Sequence, residues 1–335
     1  MKLSDYSKKT FAALENDNKT VQKVYKNIID KAEKRIMNNQ KVNYVGVKNT
    51  DVIPYDLVIK IENQGYLHHT DDTMSKGGRA IDIKLINPIT GRWMTGSSSG
   101  SALNVFYDIN DVAIATDGGG SVLAPAISLN LIGFISPLIY QKEMKKHRKQ
   151  STDDIIFSPS IGFISKDINL IKELTFLSIK EETPQDKKLN TLISKPNFKV
   201  YDDLYNKIKT LGKEVTISYN NFARKTLMQD LREIDFENNI LITYEGPVDL
   251  NAYGDSVMGH YSEESKRKQQ QANKYYLTVV NMLNLSSIII PSKKHGTGIL
   301  LTCKSEVSAI KQMIDLAKTL IVERSNLEKR YFSIY

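Results

Sequence analysis

Two clusters of small residues hold the side chains most able to do chemistry in this chain. The first is Gly96-Ser97-Ser98-Ser99-Gly100-Ser101-Ala102 and the second Thr116-Asp117-Gly118-Gly119-Gly120-Ser121. Adjacent glycines and serines add little to a core and lose much conformational entropy on folding. Two such clusters therefore mark places where backbone approaches something closely. Consecutive glycines let N–H groups converge on one point, where they can hold a developing oxyanion. Ser121 follows them directly and can act as a nucleophile there. A serine hydroxyl needs a base, and no histidine lies between residues 95 and 137. The base must come from another element. Lys48, at the end of the apolar run Lys41–Val47, is the best candidate, and Lys60 in Leu57-Val58-Ile59-Lys60-Ile61 competes with it. A lysine accepts a proton only when neutral. Burial among apolar strands can lower its pKa from about 10.4 by up to about 3–5 units.

A different reading uses the first cluster alone. Gly96-Ser97-Ser98-Ser99-Gly100 fits Gly-x-Ser-x-Gly, the nucleophile elbow of α/β-hydrolases. Ser98 would then be the nucleophile, with Asp249 and either His260 or His295 as its partners. That reading leaves the second cluster unexplained and ranks lower.

Together the clusters resemble the amidase signature family, whose pattern is a GGSSGGSA segment, a strand, then GTDxGGS and Pro-Ala. Thr95–Ala102 matches the first motif, Ala115–Ser121 the second, and Pro125-Ala126 follows. Ser97 and Ser121 stand 24 residues apart, the family's separation between its catalytic serines. Asn87-Pro88 and Gly133–Pro137 resemble the flanking family segments, so the likeness is sharpest over a signature core from 87 to 137. The resemblance implies an α/β fold: a single-domain α/β/α sandwich over 1–335 with a central mixed sheet, shortened between 49 and 96 and between 141 and 160. It implies a triad in which Ser121 attacks, Ser97 relays the proton and Lys48 receives it. Gly118, Gly119, Gly120 and Ser121 would supply the oxyanion donors, Ser98 would support them, and the Gly96–Ser97 peptide would be cis. Asp117 would order the turn through backbone hydrogen bonds rather than act as an acid or base.

The implied reaction is hydrolysis of a small linear amide through an acyl-Ser121 intermediate, with no cofactor and no metal. Many members carry an arginine two or three positions after the nucleophile. Leu123 and Ala124 stand there in this chain, so the expected substrate is uncharged near Ser121. Two alternatives stay open. One is an amidase subunit that passes ammonia to a partner, as in tRNA-dependent amidotransferases. The other is a binding protein that keeps the glycines without the catalyst.

Composition narrows the field further. The chain has 335 residues, 41% of them hydrophobic, enough for a sizeable core. A lone cysteine, Cys303, excludes an internal disulfide and a multi-cysteine metal site. It fits a reducing compartment, and neither a long apolar run nor an N-terminal apolar h-region is present, so the expected location is cytoplasmic with no membrane contact. The net charge of +8 is concentrated in Lys142–Lys149 and Lys266–Lys274. Neither stretch interleaves aromatic residues for base stacking, so nucleic acid is not an expected partner. A homodimer or a partner subunit stays open.

The elements that must position these groups can be read in order. Val21, Val24, Ile28, Ala32 and Ile36 recur at three- and four-residue steps, which predicts a helix over 4–37 within an N-terminal helical region, 1–40. A strand leads to Lys48 and a helix ends near Gly65. His68 and His69 read as polar loop residues without metal partners. Val112–Ala115 reads as a short buried strand between the two clusters. Residues 141–154 read as loop, 204–211 as helix and 215–217 as strand. A buried strand is expected over 240–247 and a helix over 263–283. The segments 286–291 and 298–301 form an expected strand pair, with a last helix over 305–327.

Overall fold

Buried strands whose residues are apolar on both faces can sit only in the middle of a covered sheet, and the fully buried run Val112–Ala115 belongs to such a strand. The computed structural model describes residues 2–179, 187–196, 202–219, 222–323 and 326–332. In chain order it contains α1 (Leu3–Glu15), β1 (Val21–Val24), α2 (Ile28–Met37), β2 (Asn43–Lys48), α3 (Tyr55–Glu62), β3 (Tyr66–Asp72), β4 (Ile81–Ile86) and β5 (Trp93–Thr95). Then come α4 (Ser99–Phe106), β6 (Val112–Asp117), α5 (Leu123–Ser128), β7 (Ile132–Ser136), α6 (Gln141–Met144), β8 (Lys149–Gln150), β9 (Ile156–Phe157), β10 (Ser160–Ser165) and α7 (Ile168–Ser178). The remainder is β11 (Asn190–Ser194), α8 (Asp202–Ile208), β12 (Lys213–Val215), α9 (Arg224–Arg232), β13 (Asn239–Glu245), α10 (Ser256–Gly259), α11 (Glu263–Gln270), β14 (Ser286–Pro291), β15 (Gly298–Cys303), α12 (Val307–Leu320) and α13 (Asn326–Phe332).

The fold is α/β with a central mixed sheet, ordered β1-β3-β2-β6-β10-β7-β14-β15-β13-β11-β12. Helices α4 and α5 touch each other and pack on β6, β7 and β14, while α7 packs on β10 and against both α3 and α12. Between them runs one continuous apolar core that includes Val45, Ile114, Phe134, Phe163, Ile289 and Leu300. Phe134 and Phe163 are register partners across β7 and β10, with ring centroids 6.3 Å apart.

One topological feature builds the site. β2 runs parallel to β6, with Val47 opposite Ile114. Parallel pairing brings the C-terminal ends of both strands to the same edge of the sheet. Lys48 and the Thr116–Ser121 turn therefore emerge side by side. The short β5 delivers Gly96 and Ser97 to that edge and α4 carries the chain away. Gly100 lies where α4 crosses the backbone: a Cβ there would sit 2.4 Å from the Thr73 carbonyl oxygen and 2.7 Å from that of Thr20.

Several expectations are corrected. The helix expected over 4–37 is two helices with a strand between them. Asn16 ends α1 in the left-handed region at φ 50°, and its side chain bonds Val21 on both sides of the peptide. Val21 and Val24 then pair antiparallel with β3. Two β-branched residues three apart suit a helical period, but they also suit a sheet edge. His68 and His69 lie on β3, not in a loop. His69 is fully buried, its Nδ1 2.8 Å from Asn110 Oδ1, and burial lowers its pKa to about 4.

The helix expected over 263–283 stops at Gln270, because the polar run Lys266–Gln271 has no apolar stripe to bury and Asn273 turns the chain at φ 52°. The segment 141–154 is not wholly loop, since it holds α6 and β8. The strand expected at 215–217 lies two residues earlier, and the last long helix ends at Leu320.

Candidate active site

Lys48 enters the site from the end of β2 and is only 3% exposed. Its Nζ donates to Ser97 Oγ at 2.8 Å and lies 3.3 Å from the Thr116 carbonyl oxygen. Burial pushes its pKa down to about 7, against the charge of Asp117 and with a further push from Lys149. Near neutral pH a sizeable fraction of this amine is therefore uncharged. Lys60 sits on the exposed face of α3 and hydrogen-bonds to neither serine among the described residues.

Ser97 is held by its backbone. The Gly96–Ser97 peptide is cis. The Gly96 N–H donates to the Ala80 carbonyl at 2.8 Å, and the Ser97 carbonyl accepts from the Ser75 N–H at 3.1 Å. A Cβ on Gly96 would come within 2.5 Å of the Arg79 carbonyl oxygen, so the approach tolerates only hydrogen. The next peptide joins the two clusters, since the Ser98 N–H donates to the Ser121 carbonyl at 3.2 Å. Ser99 anchors the start of α4 by donating to Asp82 Oδ2 at 2.6 Å.

Asp117 shapes the second cluster. Its carboxylate accepts from the N–H groups of Gly120 at 2.7 Å, Val122 at 2.6 Å and Leu123 at 3.4 Å. Burial raises its pKa, while these three N–H groups and Lys48 work to lower it. Gly120 takes φ +94°, and a Cβ there would meet Leu277 Cδ1 at 2.6 Å. Because the Gly120 N–H is bound to Asp117, it is not directed into the cleft. The N–H groups of Gly119 and Ser121 have no acceptor among the described residues, and Ser121 is half-buried with its hydroxyl unbonded. Of the four donors expected from sequence, Gly120 thus serves the turn itself.

The partners proposed for Ser98 are scattered. Ser98 Oγ is buried without a hydrogen-bond partner, and His295 Nδ1 is likewise unbonded. His260 is exposed after α10. Asp249 accepts from Thr95 Oγ1 at 2.5 Å and pairs with Lys274 Nζ at 2.7 Å. Among the described residues no group of three His, Cys, Asp or Glu side chains is placed to hold a metal.

A cleft of about 750 Å³ opens from Gly96, Gly119 and Gly120. Two residues that sequence reasoning did not single out shape this region: Arg224, which lines the cleft, and Glu245, which is buried and not part of its lining. Arg224 begins α9, and its Nη1 donates to Asp153 Oδ1 at 2.8 Å. Glu245 ends β13, fully buried, and accepts from the N–H groups of Tyr275 and Leu277 at 2.8 Å each. Burial raises its pKa to about 8, opposed by these backbone donors. It thereby holds the loop whose Leu277 packs on Gly120. A charge closing the buried run Ile240–Tyr244 was a legible signal for Glu245. Nothing local marks Arg224.

Residues 85–222 match the family model described as Amidase, and this segment contains both serine clusters. Solved structures with the same fold include an amidase, at 13% identity over 96% of this chain and 95% of that chain, TM-score 0.65. An amidase family protein from Bacillus anthracis aligns at 14% identity over 96% and 88%, TM-score 0.59. A 6-aminohexanoate cyclic dimer hydrolase complexed with substrate aligns at 11% over 98% and 96%, TM-score 0.62. At such identities the likeness speaks to fold alone. No curated protein sequence matches significantly. No helix among the described residues is long and apolar enough to cross a membrane.

Proposed function

We propose that this protein hydrolyses the amide bond of a small linear substrate through an acyl-Ser121 intermediate. The observation that carries the reading is the 2.8 Å contact between Lys48 Nζ and Ser97 Oγ in a water-poor pocket, beside the turn that presents Ser121. The amidase family match supports amide hydrolysis as the general chemistry. In the proposed cycle Ser121 Oγ attacks the carbonyl carbon and its proton moves to Ser97 Oγ, whose own proton passes to neutral Lys48. The oxyanion is held by the Gly119 and Ser121 N–H groups, each such donor lowering the barrier by roughly 3 kcal/mol. Collapse expels the amine, which takes the proton back through the same relay. Water then attacks the Ser121 ester with Lys48 again as base, releasing the acid and restoring Ser121. An uncharged acyl end is the reading that Leu123 and Ala124 support, while Arg224 of α9 lines the same cleft and offers a charge-binding alternative.

A serine-directed fluorophosphonate tests the nucleophile. Intact mass should show a single adduct, peptide mapping should place it on Ser121, Ser121→Ala should abolish it, and Ser98→Ala should leave it. An adduct on Ser98, or one that persists in Ser121→Ala, rejects the reading.

A further inference from the structure

We propose that Arg224 is a substrate-recognition residue that binds a carboxylate on the amide substrate. This deepens the hydrolase reading above and rests on it. The guanidinium borders the oxyanion turn: Arg224 Nη2 lies 3.7 Å from the position a Cβ would take on Gly119. The side chain is 17% exposed, so it forms part of the cleft wall rather than the outer surface. One edge is occupied, with Nη1 donating to Asp153 Oδ1, and Asp153 is itself fixed by Ser151 Oγ at 2.7 Å. Among the described residues the other N–H groups make no hydrogen bond. A guanidinium carries five donors in a planar fork, and one carboxylate on one edge leaves another edge able to grip a second carboxylate.

Two other cations along the cleft already have carboxylate partners. Lys274 pairs with Asp249, Lys266 with Glu263 at 3.9 Å, and Asp154 accepts from Gln150. Lys225 adds an exposed positive charge beside Arg224. The position after the nucleophile is apolar and buried, as Leu123 and Ala124 are 0% and 2% exposed. Gly119 and Ser121 are two residues apart, at most about 7 Å along the chain. A carboxylate on Arg224 would then sit a few bonds from the scissile carbonyl, which describes an ω-amide of a short dicarboxylic acid.

The test compares succinamate with butyramide. Wild type should favour succinamate in kcat/KM. Arg224→Gln should lose at least about a hundredfold more on succinamate than on butyramide, as expected when a charge-assisted pair is removed. Arg224→Lys, which keeps the charge and can keep Asp153, should fall between. Labelling of Ser121 by the fluorophosphonate in each variant reports whether the turn is intact. Calorimetric binding of succinate should be present in wild type and lost in Arg224→Gln. Equal losses on both amides, or succinate binding unchanged in Arg224→Gln, would overturn the assignment. Succinate binding that depends on Arg224, in a protein whose Ser121 is neither labelled nor active, would instead reject the hydrolase reading and keep the clamp.

Discussion

Lys48→Met should abolish turnover and at the same time raise thermal stability on the acid side of neutrality. Removing a positioned general base typically costs about 10²–10⁴-fold, and among the described residues no second amine hydrogen-bonds to Ser97. The stability effect follows from burial. The amine's pKa falls from an ordinary 10.5 to about 7 in the folded protein. Between those values the unfolded chain binds more protons than the folded one, so stability rises with pH across that window. Below about pH 7 the folded protein carries the full penalty, on the order of 4 kcal/mol, and methionine carries none. Against this, the Ser97 hydroxyl and the Thr116 carbonyl each lose a partner, about 1 kcal/mol apiece. The gap between Lys48→Met and wild type should narrow by roughly 3 kcal/mol from pH 6 to pH 9. Melting curves at the two pH values measure it, and a gap that does not change with pH would mean Lys48 is not the buried amine described. In wild type, kcat/KM should rise with a single ionisation near pH 7 as the amine loses its proton.

Asp117→Ala should be the most damaging change to the turn. It strands three buried N–H donors, on Gly120, Val122 and Leu123. At about 1–3 kcal/mol for each unsatisfied group, the loss is roughly 3–9 kcal/mol, a large part of the stability of an ordinary domain. Activity should fall at least about a hundredfold, because the Gly119 and Ser121 N–H groups lose their fixed direction. Asp117→Asn keeps the shape and one acceptor, so it should be milder in stability. It also removes the charge that raises the pKa of Lys48, so its acid limb should shift to lower pH. Urea unfolding and pH–rate profiles of the two variants check both parts. A near-native midpoint for Asp117→Ala would show that the turn holds without its carboxylate.

The candidate site residues lie in short segments, which is why they could be picked out from the sequence. Ser97, Asp117 and Ser121 sit in turns whose glycines have few other uses, and the buried runs before Lys48 and after Ser286 suit only central strands. Where a segment's own pattern admitted two states, the reading failed. Val21 and Val24 fit a helix or an edge strand, and pairing with β3 decided between them. The histidines of β3 look polar in sequence, yet His69 is buried because its strand lies between two others.

By itself the sequence determined which residues could be nucleophile, relay and base, since residue type and spacing are local properties. Only the tertiary structure decided which of them meet: parallel pairing of β2 with β6 sets Lys48 beside Thr116, Asp117 takes the Gly120 N–H out of the cleft, and α9 brings Arg224 from a hundred residues away. Contacts of that kind depend on how strands and helices stack across the whole sheet, and no stretch of chain short enough to read as a motif contains that information.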